Sequence, residues 1–265
     1  CIKQVPDTTI IKIDPETNTL MREGVPAIVS PFDAYALEAA ARIKDKDKDT
    51  KIVVLSMGPE QALAALKECL SVGGDKAYLV SDRACGGSDT LATGYILSKA
   101  KEKIEELEGI KFDMLMFGKQ AIDGDTAQVG PQMAEKLHLP QVTYAADIQK
   151  DGDTLTIKRM LEDGYMTIKV NTPCLITCIK ELNTPRYMSV SGVFECYSKP
   201  VTVLDYNALK DHPLIDATTI GLKGSPTNIL TSFTPPQKGA GQMLEGNDMK
   251  TCEKLAGILS EKHII

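Results

Sequence analysis

A regular alternation of strand-like and helix-like segments between residues 51 and 138 constrains the fold more than any other feature. Short apolar runs rich in β-branched residues, such as Lys51-Ile52-Val53-Val54-Leu55-Ser56, are followed by longer segments with helical periodicity. The predicted strands are 51–56, 76–80 and 112–117, and the predicted helices are 59–72, about 89–108 and 126–138. This alternation predicts an α/β fold with a doubly wound, mostly parallel sheet and right-handed crossovers.

The carboxyl ends of these strands are the expected place for a functional site. Ligands of doubly wound sheets bind in the crevice beyond those ends, because the loops and the starts of the following helices meet there. The strand ends are residues 1–5, 56–58, 80–82 and 117–125. The first residues are strand-like from the outset, and we expect a few residues to precede them.

The segments that flank this alternation predict additions to the sheet. Residues 9–13 and 19–22 surround a Pro/Asn turn and predict a hairpin, which is followed by a helix over 31–44. After Pro140, four strand-like segments predict an antiparallel extension with Asp-Gly hairpin turns. These segments are 141–150, 153–160, 165–171 and 174–180.

The last third of the chain predicts an arm rather than a second domain. From about residue 183 it is rich in Pro and Gly, until a final helix predicted over about 248–262. An irregular segment of this length is uncommon inside a compact domain. We therefore expect an α/β domain with its antiparallel extension over residues 1–182, and over 183–265 an arm that lies on another subunit.

Composition and charge exclude several classes of protein. The net charge is −6 and Trp is absent, so the chain lacks the basic, aromatic surface of a nucleic-acid binder. No apolar run approaches the ~18 residues of a membrane span. The seven cysteines form no Cys-x-x-Cys pair, and the three histidines offer little material for a metal site or a triad. Reduced thiols in a cytoplasmic protein are the simplest expectation.

Two helix starts are candidate nucleotide contacts. Ser30-Pro31-Phe32-Asp33 has the arrangement of a capping box, and it either caps a helix or contacts a nucleotide beside the sheet edge. The stretch from Asp123 to Pro131 follows a strand and opens a helix with small residues. It is either a phosphate site at a helix N-terminus or an ordinary tight turn. Its carboxylates would accept from ribose hydroxyls, hold neighbouring N–H groups or cap the helix.

A third candidate is the Gly-rich loop over residues 82–93. Asp89, Thr90 and Thr93 place oxygen atoms near one helix start. The loop either covers a ligand or simply ends in a capped helix. Neither Gly-x-Gly-x-x-Gly nor a P-loop motif occurs in the chain, so the pattern alone leaves these alternatives open.

Five separated motifs, in order along the chain, carry a resemblance to a known family. They are Val5-Pro6-Asp7-Thr8, Gly24-Val25-Pro26, Ser30-Pro31-Phe32-Asp33-Ala34-Tyr35-Ala36-Leu37-Glu38, Gly118-Lys119-Gln120-Ala121-Ile122-Asp123-Gly124-Asp125-Thr126 and Gly224-Ser225-Pro226-Thr227. Together they resemble the β subunit of electron transfer flavoprotein, over essentially the whole chain. The resemblance implies an adenine-nucleotide α-hydrolase-like fold and an obligate heterodimer with the α subunit.

The resemblance also implies a nucleotide site without catalytic side chains. The family's contacts fall on Cys1, Ser30, Pro31, Phe32, Asp33, Met57, Gly118, Lys119, Gln120, Ala121, Ile122, Asp123, Gly124, Asp125, Thr126, Ala127, Gln128 and Val129. Ordinary members hold a structural AMP there. Electron-bifurcating members of anaerobic metabolism instead hold an FAD, which takes a hydride from NADH and sends electrons to ferredoxin and, through the α-subunit FAD, to a flavin dehydrogenase.

Two stretches resemble the bifurcating form, namely 86–93 and 123–131. Gly124, Ala127 and Gly130 leave room for a diphosphate and a flavin, and Thr90 and Thr93 would hydrogen-bond the flavin region. The site list therefore includes Asp89, Thr90 and Thr93, with FAD as the expected cofactor, AMP as the alternative and NADH as transient donor. A stand-alone ATP-binding regulatory module is a rival that leaves residues 183–265 unexplained.

The partner-docking loop of the family corresponds to residues 187–199, where this sequence departs from the usual pattern. Members that serve acyl-CoA dehydrogenases carry a basic run at its end, whereas Val193-Phe194-Glu195-Cys196-Tyr197-Ser198-Lys199 is nearly uncharged. The expected dehydrogenase partner is thus either of the acyl-CoA dehydrogenase family or one that oxidises lactate.

Overall fold

Parallel strands form the centre of the chain, as the alternation predicts. The computed structural model describes residues 1–7, 26–211, 215–216, 218–227, 239 and 241–265. Strands β3 (Val53–Met57) and β4 (Lys76–Val80) are parallel, with Val53 opposite Lys76 and Met57 opposite Val80. The later strand β10 (Val201–Leu204) pairs in parallel with the other side of β4.

A second group of strands contains the predicted extension, which is only partly antiparallel. Its order is β5 (Met114–Gly118), β9 (Cys174–Cys178), β6 (Gln141–Asp151), β7 (Thr154–Met160) and β8 (Tyr165–Asn171). Strands β6, β7 and β8 form the expected meander, but β9 lies parallel to both β5 and β6. All five residues of β9 are buried, which is typical of an interior parallel strand covered on both faces.

The first residues of the chain connect the two groups of strands. The backbone nitrogen of Cys1 donates to the Met116 carbonyl oxygen at 2.7 Å, and that of Ile2 donates to the Leu55 carbonyl oxygen at 2.9 Å. The chain then continues into β1 (Gln4–Pro6), which pairs antiparallel with β2 (Ala27–Val29). This arrangement places the carboxyl ends of β3, β4 and β5 at one edge.

Helices cover both faces of the strands. They are α1 (Pro31–Lys46), α2 (Leu63–Val72), α3 (Thr90–Glu108) and α4 (Val129–Lys136). Successive residues of β4 enter different core clusters: Ala77 and Leu79 pack with Leu66 of α2, and Tyr78 and Val80 pack with Ile96 of α3. This alternation follows from the period of two in a strand, and it supports the predicted doubly wound α/β arrangement.

Two predicted helix boundaries shift for local reasons. The first turn of the helix predicted from 59 is a 3-10 turn over Glu60–Ala62, and α2 itself begins at Leu63. Helix α4 begins at Val129 instead of 126, because Asp125 and Ala127 have φ values of 49° and 53°. Left-handed residues of this kind do not fit a right-handed helix.

Part of the region after residue 182 contributes a strand to the sheet. Helix α5 (Val190–Glu195) packs on α2, and helices α6 (Tyr206–Leu209) and α7 (Gly221–Gly224) follow β10. The chain divides into units 1–230 and 231–265, and β10 belongs to the first unit because it pairs with β4.

Within the second unit, helix α8 (Met249–Glu261) is capped by Asp248, which accepts from the Thr251 backbone N–H at 3.0 Å. The hairpin predicted over 9–13 and 19–22 lies outside the described residues. That residues beyond 230 pack on an α subunit stays a prediction.

Gly192 gives a test of the packing between α5 and α2. A Cβ atom at this position would lie 2.2 Å from the Ser71 carbonyl oxygen. We expect Gly192→Ala to lower the free energy of unfolding by about 1–3 kcal/mol, since α5 must move away from α2. Urea denaturation of the purified protein measures this change.

Gly164→Ala is the matched control, because its Cβ would meet no atom within 4 Å. Equal stability of the two variants would contradict the described contact between α5 and α2.

Candidate functional site

A cleft of about 1050 Å³ opens at the carboxyl ends of β3, β4 and β5. Its floor is apolar, with Leu55, Met57, Val80 and Phe117 contributed by the strands. The starts of helices α3 and α4 form its walls, through Thr90 and Thr93 on one side and Val129 and Gly130 on the other. The position agrees with the ligand crevice expected of a doubly wound sheet.

Most of the predicted site residues line this cleft. They are Cys1, Asp33, Met57, Asp89, Thr90, Thr93, Gly118, Lys119, Gln120, Ala121, Gly124, Asp125, Thr126, Ala127, Gln128 and Val129. Those absent from the cleft lining are Ser30, Pro31, Phe32, Ile122 and Asp123. The structure thus brings together segments that are far apart in the chain, and their role as nucleotide contacts stays a prediction.

The predicted capping box at Ser30 is wrong. The Ser30 side chain makes no capping hydrogen bond, and its hydroxyl oxygen is buried without a partner among the described residues. The Ser30 carbonyl oxygen instead accepts from the backbone N–H groups of Asp33 and Ala34, at 2.9 and 3.1 Å. Because Ser30 is fully buried, its hydroxyl is not exposed to the cleft.

The carboxylate of Asp33 joins three segments at the cleft floor. It accepts from the Lys3 backbone N–H at 2.8 Å and from the Gly118 backbone N–H at 2.9 Å. Burial raises the pKa of Asp33, whereas these two donors favour its charged form. A Cβ atom on Gly118 would lie 2.5 Å from the Phe32 carbonyl carbon. Glycine is therefore required where β5 meets the first turn of α1.

The turn over residues 121–128 keeps its own carboxylates occupied. Asp123 forms an ion pair of 2.9 Å with Lys3, and Asp125 accepts from the Gln120 side-chain amide at 2.6 Å. Neither caps α4, whose N-cap is Gln128 and has no side-chain cap. Of the roles left open by the sequence, pairing with neighbouring donors is the one observed. These partners reduce the repulsion that an anionic ligand would meet.

The starts of α3 and α4 face each other across the cleft and are joined by a hydrogen bond. The Thr90 hydroxyl donates to the Gln128 side-chain oxygen at 3.0 Å. Asp89 caps α3 by accepting from the Ala92 backbone N–H at 2.9 Å. The first N–H groups of a helix have no intrahelical partner, and the helix dipole favours an anion beside them. At α3 the Asp89 carboxylate already occupies this position, whereas the start of α4 has no side-chain cap.

The site predictions missed two stretches of the cleft lining, which are Gly58–Glu60 and residues 81–88 without Ala84. They also missed single lining residues such as Ile2, Lys3 and Leu97. Both stretches follow strand ends: the Gly58 backbone N–H donates to the Val80 carbonyl oxygen at 3.0 Å and holds β3 and β4 together there. The position of 56–58 and 80–82 at strand ends was the signal that could have extended the list to these residues.

Lys119 is a cation placed beside aromatic rings. Its ammonium nitrogen lies 6.0 Å from the ring centre of Phe32 and 5.4 Å from that of Tyr144, and its backbone N–H donates to the Cys178 carbonyl oxygen at 2.8 Å. Tyr144 has a φ of 57° within an irregularity of β6. Such bulges redirect side chains next to functional sites, and here one brings an aromatic ring to Lys119.

Comparison with known proteins decides the family. A profile described as the electron transfer flavoprotein domain matches residues 17–209. The chain belongs to the electron transfer flavoprotein family. It is 51% identical over 249 residues to an electron transfer flavoprotein subunit beta from Megasphaera elsdenii, covering 94% of this chain and 91% of the relative. The chain is a β subunit of this family, as the sequence motifs predict.

Two other relatives of this electron transfer flavoprotein chain carry more specific names. It is 54% identical to acryloyl-CoA reductase electron transfer subunit gamma from Anaerotignum propionicum, covering 100% of this chain and 98% of the relative. It is 48% identical, with the same coverage, to caffeyl-CoA reductase-Etf complex subunit CarD from Acetobacterium woodii. The words "subunit" and "Etf complex" imply that a β chain of this family works together with an α subunit.

Metal binding and membrane crossing can both be assessed for the described residues. Within the described part of the chain, no group of three or more His, Cys, Asp and Glu residues is placed to hold a metal ion. Among the helices of the same residues, none is both long and apolar enough to cross a bilayer.

Gly124 tests whether the 121–128 turn contributes to nucleotide binding. A Cβ atom here would meet no atom within 4 Å, so Gly124→Val leaves the fold intact and adds bulk beside the cleft. We expect the variant to retain about tenfold less nucleotide, because the ligand must give way. Nucleotide released by denaturation and quantified by chromatography measures the loss.

Gly164→Val is a suitable control, because it also adds bulk where no atom lies within 4 Å but far from the cleft lining. Unchanged nucleotide content in Gly124→Val would place the ligand elsewhere.

Proposed function

We propose that the cleft of this β subunit binds FAD in an electron-bifurcating complex. NADH is the hydride donor, and electrons leave for ferredoxin and, through the α-subunit FAD, for a flavin dehydrogenase. The observation that carries the proposal is the size of the cleft together with two helix starts in its wall. The alternative, a carrier with a structural AMP in the same place, is an outcome of the test below.

The volume of the cleft favours the larger ligand. Small-molecule sites commonly measure roughly 300–1000 Å³, and this cleft measures about 1050 Å³. A mononucleotide would leave much of that space unfilled. A dinucleotide such as FAD can occupy both the polar wall at α3 and α4 and the apolar floor formed by Leu55, Met57 and Phe117.

The residues around the cleft suit the parts of such a ligand. The first N–H groups of α4, beside Val129 and Gly130, are placed to hold a diphosphate. Gly124 leaves open space next to them. Thr90 and Thr93 present hydroxyl groups to the same cleft, and the apolar floor excludes water. A bound flavin would supply both hydride acceptance and one-electron transfer, so the protein binds, orients and tunes it.

The described side chains provide no obvious acid or base catalyst in this proposal. Cys85 lines the cleft, but burial raises its pKa to about 11, so it stays a protonated thiol near neutral pH. Asp82 is held by the backbone N–H groups of Ala84 and Tyr206, at 2.8 and 3.0 Å. These hydrogen bonds lower its pKa. We therefore assign the chemistry to the cofactor rather than to a side chain.

A docking segment over residues 187–199 supports a dehydrogenase partner. Its side chains include several exposed apolar groups, of which Tyr187 is 98% and Val190 78% exposed. The two cations at the ends of this segment, Arg186 and Lys199, are bound by partners within the chain. Arg186 pairs with Glu38 and Asp45 at 2.8 and 2.7 Å, and the Lys199 ammonium donates to the carbonyl oxygens of Leu70 and Gly74 at 2.7 and 2.8 Å.

This pattern favours docking by apolar contact. Within 187–199 the charged side chains are Glu195 and Lys199, and Lys199 is already bound by backbone carbonyl oxygens. Long-range charge therefore contributes little to partner choice. The names of the relatives, which refer to acryloyl-CoA and caffeyl-CoA reductases, favour a partner that acts on CoA thioesters over one that oxidises lactate.

The nucleotide content of the heterodimer tests the proposed function. We expect FAD in the α subunit and a further FAD in the β-subunit cleft, with no AMP. The nucleotides released from the purified heterodimer would be separated and quantified. Anaerobic NADH should bleach the flavin absorbance of the complex. Equal amounts of FAD and AMP would instead identify the non-bifurcating carrier.

Val190 tests the docking segment. We expect Val190→Asp to reduce electron transfer to the dehydrogenase by at least about tenfold, since a charge would be buried without a partner. Reduction of bound flavin by NADH should be unchanged, because Val190 does not line the cleft. The coupled rate in the parent protein should depend only weakly on ionic strength.

Leu107→Asp is the matched control, because Leu107 is also exposed, at 54%, but lies on α3 away from this segment. Loss of coupling in both variants, or loss of the parent rate in moderate salt, would contradict docking through residues 187–199.

A further inference from the structure

Residues 221–227 pack against the Gly-rich loop of the cleft without lining the cleft themselves. The Leu222 backbone N–H donates to the Gly86 carbonyl oxygen at 3.1 Å, and the Gly221 backbone N–H donates to the Ser88 hydroxyl at 2.9 Å. Gly221 has a φ of 68°, and a Cβ atom there would lie 2.4 Å from the Ala84 carbonyl oxygen. The approach of the two segments is thus close enough to require glycine.

The hydroxyl group of Ser225 connects this segment to the start of α3. Ser225 is 5% exposed. Its hydroxyl accepts from the Asp89 backbone N–H at 2.8 Å and donates to the Gly221 carbonyl oxygen at 2.7 Å. Ser225 therefore links the N-cap residue of α3 to the first residue of α7, although the two lie in distant parts of the chain.

Asp89 receives a second contact from the same segment. One carboxylate oxygen caps α3 through the Ala92 backbone N–H at 2.9 Å, and the other accepts from the Thr227 backbone N–H at 3.0 Å. Both oxygen atoms are thus occupied, as is the backbone N–H. Asp89, the N-cap of α3, is therefore held by hydrogen bonds to Ser225 and Thr227 as well as by its hydrogen bond to the helix itself.

The contacts continue to the cleft itself. Thr90 follows Asp89 directly, lines the cleft, and donates to the Gln128 side-chain oxygen at 3.0 Å. Gln128 is the N-cap of α4. A chain of hydrogen bonds and one peptide link therefore runs from Ser225 through Asp89 and Thr90 to Gln128. It connects residues outside the cleft to both helix starts in its wall.

We propose that residues 221–227 form a brace that positions the start of α3 for nucleotide binding, with Ser225 as its positioning residue. This inference rests on the proposed use of the cleft as a nucleotide site. Without the Ser225 hydroxyl, the Asp89 N–H loses a buried acceptor and the first turn of α3 is less well ordered before the ligand arrives. Binding then carries an additional ordering cost.

Ser225→Ala in the complete heterodimer tests this brace. We expect the dissociation constant of the β-site nucleotide to rise about tenfold, measured by equilibrium dialysis against the nucleotide that the parent heterodimer is found to contain. The visible circular dichroism of a bound flavin should also change, because its surroundings at Thr90 shift. Ser225→Thr, which keeps the hydroxyl, should bind more tightly than Ser225→Ala.

Ser71→Ala is the matched control. Ser71 is 8% exposed and its hydroxyl donates to the Glu68 carbonyl oxygen at 2.7 Å, but it lies on α2 outside the cleft lining. We expect its nucleotide affinity to equal that of the parent. An unchanged affinity in Ser225→Ala, or an equal loss in Ser71→Ala, would overturn the proposal.

Hydrogen exchange on the parent heterodimer gives a second measurement that does not depend on the folding of a variant. Adding nucleotide to the depleted heterodimer should protect the amides of 86–93 and those of 221–227 together. Protection confined to 86–93 would overturn the brace. The identity of the nucleotide, FAD or AMP, tests the proposed function separately, since the brace predicts weaker binding of either one.

Discussion

The buried carboxylate of Asp33 is the interaction on which the cleft depends. It holds the backbone N–H groups of Lys3 and Gly118, so that the first residues of the chain, helix α1 and the end of β5 meet at one point. Two hydrogen bonds from the backbone offset part of the cost of burying this charge, and burial still raises the pKa of Asp33. Cys1 and Ile2 also form hydrogen bonds to β5 and β3. The contacts around Asp33 therefore fix the positions of the strands that line the cleft.

The charges around the cleft are largely satisfied within the protein, which leaves backbone groups to meet a ligand. Asp123 is paired with Lys3 and Asp125 with Gln120, while Asp82 and Asp89 accept from backbone N–H groups. An anionic ligand then meets helix N-termini rather than free carboxylates.

Local pattern was a good guide to elements and a poor guide to their partners. The strand over 76–80 was predicted with the bounds that the structure shows, because its apolar run is short and clearly delimited. The predicted antiparallel direction of β9 was wrong, because β9 is parallel to both of its neighbours. Its five residues are apolar or small and all buried, and such a sequence does not indicate which strand it pairs with. The predicted capping box at Ser30 was wrong. The residue types are those of a capping box, but the buried Ser30 hydroxyl makes no hydrogen bond to the N–H groups of the helix.

The sequence by itself determined the α/β class, the order of the central strands and helices, the family, and about half of the residues that line the cleft. These depend on periodicity, turn residues and motifs, which are local properties. Only the tertiary structure decided that β10 returns to pair with β4, that Arg186 and Lys199 are bound by partners within the chain, and that Ser225 holds Asp89. Each of these joins residues more than a hundred positions apart, and such contacts are set by how the layers pack rather than by any neighbouring residue.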